Sequence, residues 1–403
     1  MQSAKKRNYS IVAACFMIQA VGVGTLVSYG VFFNSLMIEF QWSRAVISGA
    51  SSLALFLSGL LAIFVGRLND IYGPKRLMSI AAVFLGAGVM LMSQVEEVWQ
   101  LYLFYGIIFG IGYSAVDVIA LTTTARWFSH SRGIMTGIVK VGTGAGQFTI
   151  PFLASVLIAI YGWRQTNVIL GAAALVIILL IAQVLKRDPG DSCAEINSNG
   201  SGATKSSGIE FSSLSAREAL QTVQMWIICS VNLLLVFTLM IILVHIVPHA
   251  SDIGLSPFQS AGVLSAIGAV SMLGRFISGI TIDRIGSKYV MVACYFVLIA
   301  SLIWLQLADS LLMLYLFACA YGLAHGGFFT AISPIVAEIF GIAAHGAIFG
   351  IVVFSGTTGG AIGPLAAGQL FDMTGSYTVT FRIITAMSVA GLGLILLLKP
   401  IEK

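Results

Sequence analysis

The sequence predicts an all-α membrane protein with twelve transmembrane helices, arranged as two pseudo-symmetric six-helix bundles. Three observations support this fold class. Hydrophobic residues make up 58% of the chain and charged residues only 9%, whereas soluble domains contain about 25% charged residues. Twelve apolar runs are each long enough to cross a bilayer. Finally, the two halves of the chain share one pattern of residues at a constant offset, which indicates duplication.

Polar breaks set the limits of the twelve spans. In the first half they predict spans near 11–33, 45–68, 77–94, 99–125, 133–158 and 165–186. In the second half they predict spans near 220–248, 257–282, 288–307, 311–337, 345–370 and 377–398. No run alternates as a barrel strand does, so the backbone polar groups must be paired within helices.

Three segments follow from these spans: an N-terminal bundle over 1–187, a linker over 188–214 and a C-terminal bundle over 215–403. The linker is rich in Ser, Gly and Asn, a composition that predicts a flexible tether. Helix caps mark several starts. Ser215 with Glu218 fits a capping box before the seventh span. Ser43 and Ser256 are predicted caps of the second and eighth spans.

The repeat is clearest in two loops that both read G-x-x-x-D-x-x-G-x-K, at 66–75 and 279–288, which are 213 positions apart. The same offset relates Gly133 to Gly346 and Gly162 to Gly375. Two similar membrane bundles that face each other are typical of secondary transporters, whose site lies between the bundles.

The basic residues predict the orientation. With a cytoplasmic amino terminus, sixteen Lys and Arg residues in loops and termini lie inside and only three lie outside. This bias places both termini and the linker in the cytoplasm. The net charge of +5 then reflects topology, and we expect no nucleic-acid partner. The five cysteines lack paired or metal-ligand spacing, so we expect neither metal nor cofactor. The sequence shows neither a catalytic constellation nor a soluble output domain, so we expect no enzyme activity.

The paired loops resemble the loop motif of the major facilitator superfamily, and this resemblance covers the whole chain. Within the superfamily, Tyr29–Phe33 followed by Trp42–Arg44, and Trp127–Phe128 followed by Arg132–Gly133, are similar to the bacterial branch of the monocarboxylate transporter family. The oxalate/formate exchangers are close relatives of that branch. The resemblance implies the major facilitator fold, alternating access in the bacterial cytoplasmic membrane, and transport of lactate or pyruvate with a proton. We expect the chain to function as a monomer.

Arg275 is the predicted substrate-binding residue. It precedes Asp283 by eight residues, which places it about 12 Å inside the eighth span. A charge at that depth costs about 2.5–3.5 kcal/mol and usually faces a cavity. The guanidinium fork matches a carboxylate, although a permanent ion pair with an acid is the structural alternative. The arginine of the eighth span in monocarboxylate transporters aligns with Arg275.

Asp117 is the predicted proton carrier, because this chain lacks the aspartate and the first-span lysine that animal monocarboxylate transporters use. Their aspartate aligns with Ser271 and their first-span lysine aligns near Val27. Asp117 is an acidic residue well inside the fourth span, on the helix face that carries small residues. Lys140 is assigned to proton coupling with it. Two alternatives stay open: Asp117 only neutralises Lys140, or the Lys140 side chain extends towards the cytoplasmic interface.

Further residues complete the predicted site and its gates. His325 in the tenth span is assigned to bond the substrate or carry a proton, with an interhelical hydrogen bond as the alternative. The predicted apolar walls and small contacts are Tyr29, Tyr113, Tyr321, Phe329 and Ser271. Asp70, Arg126 and Asp283 are predicted to gate the cytoplasmic face, or simply to cap helix ends. An organic anion exchanger of the oxalate/formate type is the alternative function. Gly356 stands at the position of the exchangers' lysine, and this favours a monoanion.

Overall fold

The computed structural model describes residues 2–42, 44–128, 131–187 and 214–399, and within these ranges it contains helices and no strands. Helices α1 to α4 are Gln2–Phe40, Arg44–Tyr72, Pro74–Leu91 and Val98–Trp127. Helices α5 and α6 are the two limbs, 132–161 and 163–182, of the helical stretch Arg132–Ala182. Helices α7 to α12 are Val223–Asp252, Pro257–Ile285, Ser287–Leu305, Leu311–Phe340, His345–Thr374 and Thr378–Leu397. The predicted all-α membrane fold is confirmed.

The stretch Arg132–Ala182 is two spans, as the sequence predicts. Its 51 residues would form a rod of about 77 Å if straight, more than twice the thickness of a bilayer core. Gly162 has φ 76 and ψ 165, which interrupts the helix. The chain then returns to its starting face, because the Trp127 Nε1 donates a hydrogen bond to the Lys186 carbonyl at 2.9 Å.

The internal repeat extends to the backbone conformation of the turns. Six of the seven described residues with positive φ form three pairs, each separated by the same 213 positions: Gln41 with Gly254, Gly73 with Gly286, and Gly162 with Gly375; the seventh is Gly341. Five of the six are glycine, the residue that adopts this region without steric cost. The residue types alone did not reveal the pair of Gln41 and Gly254, because Gln41 adopts a positive φ although it is not glycine.

Helix caps confirm two of the predicted starts. The Ser215 backbone N–H donates to Glu218 at 2.8 Å and the Glu218 N–H donates back to the Ser215 hydroxyl at 3.3 Å. This box starts a short helix, Ala216–Leu220, before α7. Ser256 and Gln259 form the same box at the start of α8. The predicted cap Ser43 and most of the predicted linker lie outside the described residues.

Helix α4 contains an irregular segment next to the predicted site. Residues Tyr102–Phe109 form a π-helix, a wider turn that often lies at functional sites. It places Tyr105 against Tyr29 with ring centroids 4.1 Å apart, and Phe109 against Tyr113 at 5.8 Å. Asp117 follows Tyr113 by one helical turn, so this aromatic stack leads directly to the predicted proton carrier.

Candidate functional site

Arg275 is buried on α8 without a partner. It is 3% exposed, and its Nε and Nη1 atoms are buried with no hydrogen-bond partner among the described residues. Its Nη1 reaches the other half of the molecule, since a Cβ added to Gly144 on α5 would lie 3.0 Å from it. A buried guanidinium without hydrogen bonds is costly. The arrangement provides at least two unused donors between the two halves.

Asp117 and Lys140, which both belong to the N-terminal half of the chain, form an ion pair. The Lys140 Nζ lies 2.6 Å from Asp117 Oδ1, and that oxygen also accepts a hydrogen bond from Gln19 Nε2 at 2.7 Å. The Thr143 hydroxyl donates to Gln19 Oε1 at 2.9 Å. The network therefore joins α1, α4 and α5. The Lys140 side chain does not extend to the interface.

Sequence reasoning missed the roles of Gln19 and Thr143. One signal was present, because Gln19 is polar within a long apolar run and its repeat mate is Asn232. Asn232 is buried too, and its amide donates to the Val352 carbonyl on α11 at 2.7 Å. The two halves thus place an amide at the same point. Only in the first half does that amide support a charged pair.

The exposure of the charged groups differs across the site. The Lys140 side chain is 5% exposed, whereas that of Asp117 is 35% exposed. Asp117 therefore presents part of its carboxylate to open space while its Oδ1 holds Lys140. With Arg275, the three groups sum to one positive charge, because Lys140 pairs with Asp117 and Arg275 forms no ion pair among the described residues. Such a site has the charge to bind one small monoanion.

Helix α10 supplies an aromatic wall with a histidine in it. The His325 ring is 7% exposed and packs edge-on against Phe329, with centroids 5.0 Å apart. Phe329 in turn lies 6.0 Å from the Lys140 Nζ, within cation–π distance. Both His325 ring nitrogens are buried without a hydrogen-bond partner among the described residues. The interhelical hydrogen bond that is the sequence-based alternative does not form here.

Three other predicted residues use their hydroxyls within the protein. The Tyr29 hydroxyl donates to the Ile47 carbonyl at 2.7 Å, and the Tyr321 hydroxyl donates to the Leu239 carbonyl at 2.9 Å. The Ser271 hydroxyl donates to the Gly268 carbonyl of its own helix at 2.8 Å. These bonds join neighbouring helices or satisfy a helical turn, so these hydroxyls are not available in this conformation.

The predicted gating residues Asp70, Arg126 and Asp283 lie at one face of the molecule and define it. We term it the basic face, because the sequence predicts most loop Lys and Arg residues on this side. The Arg126 Nη2 lies 2.7 Å from Asp70 Oδ1. The Asp70 carboxylate also accepts hydrogen bonds from the backbone N–H groups of Gly346 at 3.2 Å and Ala347 at 3.0 Å. Asp70 therefore caps the N-terminus of α11, a helix of the other half.

Asp283 makes the repeat-related contact at the same face. Its carboxylate accepts hydrogen bonds from the backbone N–H groups of Gly133 at 2.6 Å and Ile134 at 2.9 Å. These groups form the N-terminus of α5. The offset of 213 positions maps Asp70, Gly346 and Ala347 onto this set, with the halves exchanged. Each bundle thus caps a helix of the other.

Glycines allow the helices to meet beneath these caps. A Cβ added to Gly137 on α5 would lie 2.6 Å from the Arg275 carbonyl oxygen. One added to its repeat mate Gly350 on α11 would collide with the Ala62 carbonyl oxygen on α2. The same holds for Gly133 against Gly279. With their backbones in such contact, α5 with α8 and α2 with α11 close the described part of the molecule at the basic face.

Metal chemistry finds no support in the described part of the chain. No group of three His, Cys, Asp or Glu residues there could hold a metal ion. Cys15, Cys229, Cys294 and Cys319 are free thiols, and Cys193 lies outside the described residues.

Comparisons with known proteins agree with the fold. The family model described as Major Facilitator Superfamily matches residues 11–288 and 270–403. Monocarboxylate transporter 13 of Rattus norvegicus is 25% identical over 97% of this chain and 88% of its own length. An MFS-type transporter, YcxA, of Bacillus subtilis is 25% identical over 95% and 93%. A solved structure of the proton:xylose symporter XylE matches with a TM-score of 0.78 at 14% identity, covering 98% of this chain and 96% of that one.

Proposed function

Because the chain belongs to the Major Facilitator Superfamily, and is therefore a secondary transporter, we propose that it is a proton-coupled symporter of small monocarboxylates such as L-lactate or pyruvate. Relatives that are named monocarboxylate transporters, at about 25% identity, support the substrate class. The proposed membrane is the bacterial cytoplasmic membrane, with both termini in the cytoplasm and a monomer as the functional unit.

The unpaired Arg275 is the observation on which this proposal rests. Its two buried donors have no partner among the described residues, and it lies where α8 meets α5. A carboxylate that accepts hydrogen bonds from Nη1 and the adjacent Nη2 would form a charge-assisted bidentate pair, which is strong and directional. One free cation fits one anionic group. The apolar ring of Phe329 would then lie beside the short carbon chain of the substrate.

The Asp117–Lys140 pair gives this site a means of coupling. Arg275 and Asp117 interact electrostatically, so an anion on Arg275 would compete with Asp117 for Lys140. If Lys140 turns to the substrate, Asp117 loses its cation and its protonation becomes favourable. Substrate binding and proton binding then promote each other, as linkage requires. The neutral pair of anion and proton avoids a cost of about 2.3 kcal/mol per charge at 100 mV.

Alternating access follows from the contacts at the basic face. In the proposed orientation this face is cytoplasmic, so the present conformation is closed to the cytoplasm. Release of substrate there needs both the Asp70 and Asp283 caps to separate, together with the glycine contacts beneath them. Because the two caps are repeat-related, a rocking motion of the bundles would break them together.

Uptake of labelled L-lactate into proteoliposomes tests the proposal. We expect accumulation that rises with an inward proton gradient, with no net charge movement when the potential is varied. Uptake that does not depend on the proton gradient would exclude symport. A competition panel of lactate, pyruvate, acetate, formate and oxalate then identifies the preferred acid.

Exchange of the oxalate/formate type is the alternative, since Lys140 is a second deep cation. Its pairing with Asp117 at 2.6 Å leaves Arg275 as the deep cation without an ion pair among the described residues, and this favours a monoanion over a dianion. Counterflow of oxalate against formate without proton movement would support the exchanger instead.

A further inference from the structure

His325 is the buried polar side chain next to Arg275 that the proposed binding of a carboxylate does not use. It is 7% exposed, and neither ring nitrogen has a hydrogen-bond partner in the described part of the chain. A buried polar group without a partner costs about 1–3 kcal/mol. Two adjacent groups with unmet hydrogen bonds, Arg275 and His325, indicate a ligand with more than one polar group.

The packing of α10 on α8 makes the two residues neighbours. A Cβ added to Gly326, the residue after His325, would lie 2.7 Å from the Arg275 backbone nitrogen and would collide with the Ser271 carbonyl. The Thr330 hydroxyl reaches the Arg275 carbonyl at 3.5 Å. The helices therefore touch at this level, and the His325 ring is fixed between Tyr321 and Phe329, with ring centroids 5.9 Å and 5.0 Å away.

The surroundings keep His325 neutral. No described acid contacts the ring, and the nearby cation Arg275 disfavours a second positive charge in an apolar pocket. A neutral imidazole has one donor and one acceptor. It can therefore bond a hydroxyl or a carbonyl oxygen, but it has no charge with which to bind a carboxylate. Its partner must be an uncharged oxygen close to the carboxylate that Arg275 binds.

We propose that His325 determines specificity by bonding the oxygen on the carbon next to the substrate carboxylate, so that the transporter prefers 2-hydroxy and 2-oxo acids to plain acids of the same size. This inference rests on the proposed function. Arg275 binds the carboxylate, His325 binds the neighbouring oxygen and Phe329 contacts the remaining carbon. A plain acid leaves the imidazole unsatisfied, and sites built for a hydroxyl discriminate strongly against analogues that lack it.

Lactate and propionate differ by this one oxygen, so their ratio in transport and in binding to the purified protein is the test. We expect wild type to prefer lactate by about tenfold or more. His325→Leu should lower the affinity for lactate about tenfold and leave that for propionate unchanged or improved. His325→Asn, which keeps a donor and an acceptor, should restore part of the preference.

Tyr315→Phe is the matched control. Tyr315 lies on α10 ten residues before His325, outside the proposed site, and its hydroxyl lies against Gly262 on α8, so the ratio should equal that of wild type. Propionate uptake by His325→Leu shows that this variant is folded. If His325→Leu lowers lactate and propionate equally, or if the ratio is unchanged, the inference is wrong and His325 binds water or only packs. If wild type takes up neither acid, the proposed function itself fails, and the inference fails with it.

Discussion

At the scale of single residues, the site contains one cation that is satisfied and one that is not. Lys140 has Asp117 as a partner, whereas Arg275 has two buried donors with no partner among the described residues. A protein retains an unsatisfied buried charge at a cost to its stability, and such positions are usually functional. Replacement of Arg275 is therefore expected to lower transport without lowering stability.

Arg275→Gln should abolish transport without destabilising the fold. Loss of two charge-assisted hydrogen bonds to the substrate should weaken its binding about 100-fold or more, since each contributes about 1.5–3 kcal/mol. Removal of the unpaired charge should leave the melting temperature equal to or above that of wild type. Lactate binding and thermal unfolding of the purified protein measure both effects.

Arg164→Gln is the control for the loss of an arginine, because Arg164 is half-exposed and pairs with Glu39 at 2.8 Å. It should transport normally. A fall of several degrees in the melting temperature of Arg275→Gln would show instead that Arg275 has a structural partner.

Asp117→Asn should separate anion movement from proton movement. The amide still bonds Gln19 but cannot take up a proton, so we expect anion exchange to continue while the response to a proton gradient is lost. Uptake of labelled lactate is measured with and without an inward gradient, alongside counterflow. Asp117→Glu keeps a carboxyl group and should retain some proton dependence. An unchanged gradient response in Asp117→Asn would exclude Asp117 as the carrier.

At the scale of helices, close approach depends on glycines that the repeat places in both halves. Gly350 lies against the Ala62 carbonyl, and its repeat mate Gly137 lies against the Arg275 carbonyl. Helices in contact through small residues are held by packing rather than by the hydrophobic effect. A single added methyl group at such a point must separate the two backbones.

Gly350→Ala should therefore favour opening of the basic face. The new Cβ collides with the Ala62 carbonyl, which pushes α11 from α2, and the rigid bundles should separate at α5 and α8 as well. The readout is the rate at which a water-soluble maleimide labels a cysteine at Ile282, a buried residue against Gly133, in protein without its native cysteines. We expect faster labelling.

Gly393→Ala controls for the change in helix propensity, because a Cβ there has no atom within 4 Å. It should label at the wild-type rate. Equal labelling of Gly350→Ala and wild type would mean that α2 and α11 tolerate the methyl group by a local shift.

The sequence was sufficient for elements and repeats because those depend on local spacing. Polar breaks predicted two spans, 133–158 and 165–186, and the turn at Gly162 does divide the stretch Arg132–Ala182 between them. The sequence did not reveal the π-helix Tyr102–Phe109. The ion pair of Lys140 with Asp117 was one of two open alternatives, because spacing on separate helices does not fix a distance. The support from Gln19 was missed for the same reason.

At the scale of the whole molecule, the two halves are joined by a symmetric exchange of caps. Asp70 caps α11 and Asp283 caps α5, so each bundle provides an acid for the positive helix end of the other. Among the described residues, Asp70 also forms an ion pair with Arg126 at 2.7 Å, whereas Asp283 forms none with an arginine. Its loop motif was read from the sequence, but the helices that receive the caps follow only from the assembled fold.

Asp283→Asn should shift the molecule towards a conformation open at the basic face. The amide keeps the size of the side chain but loses the charge that stabilises the N-terminus of α5, an effect of about 0.3–2 kcal/mol. A change in population of about 2-fold to 30-fold follows from that energy. Spin labels at Tyr72 and Ile285, which are exposed repeat mates at this face, would report it as a larger share of long distances. Asp309→Asn, in the turn before α10, is the matched control and should leave the distances unchanged. If Asp283→Asn also leaves them unchanged, the glycine contacts alone hold this face closed, and the acids act only as caps.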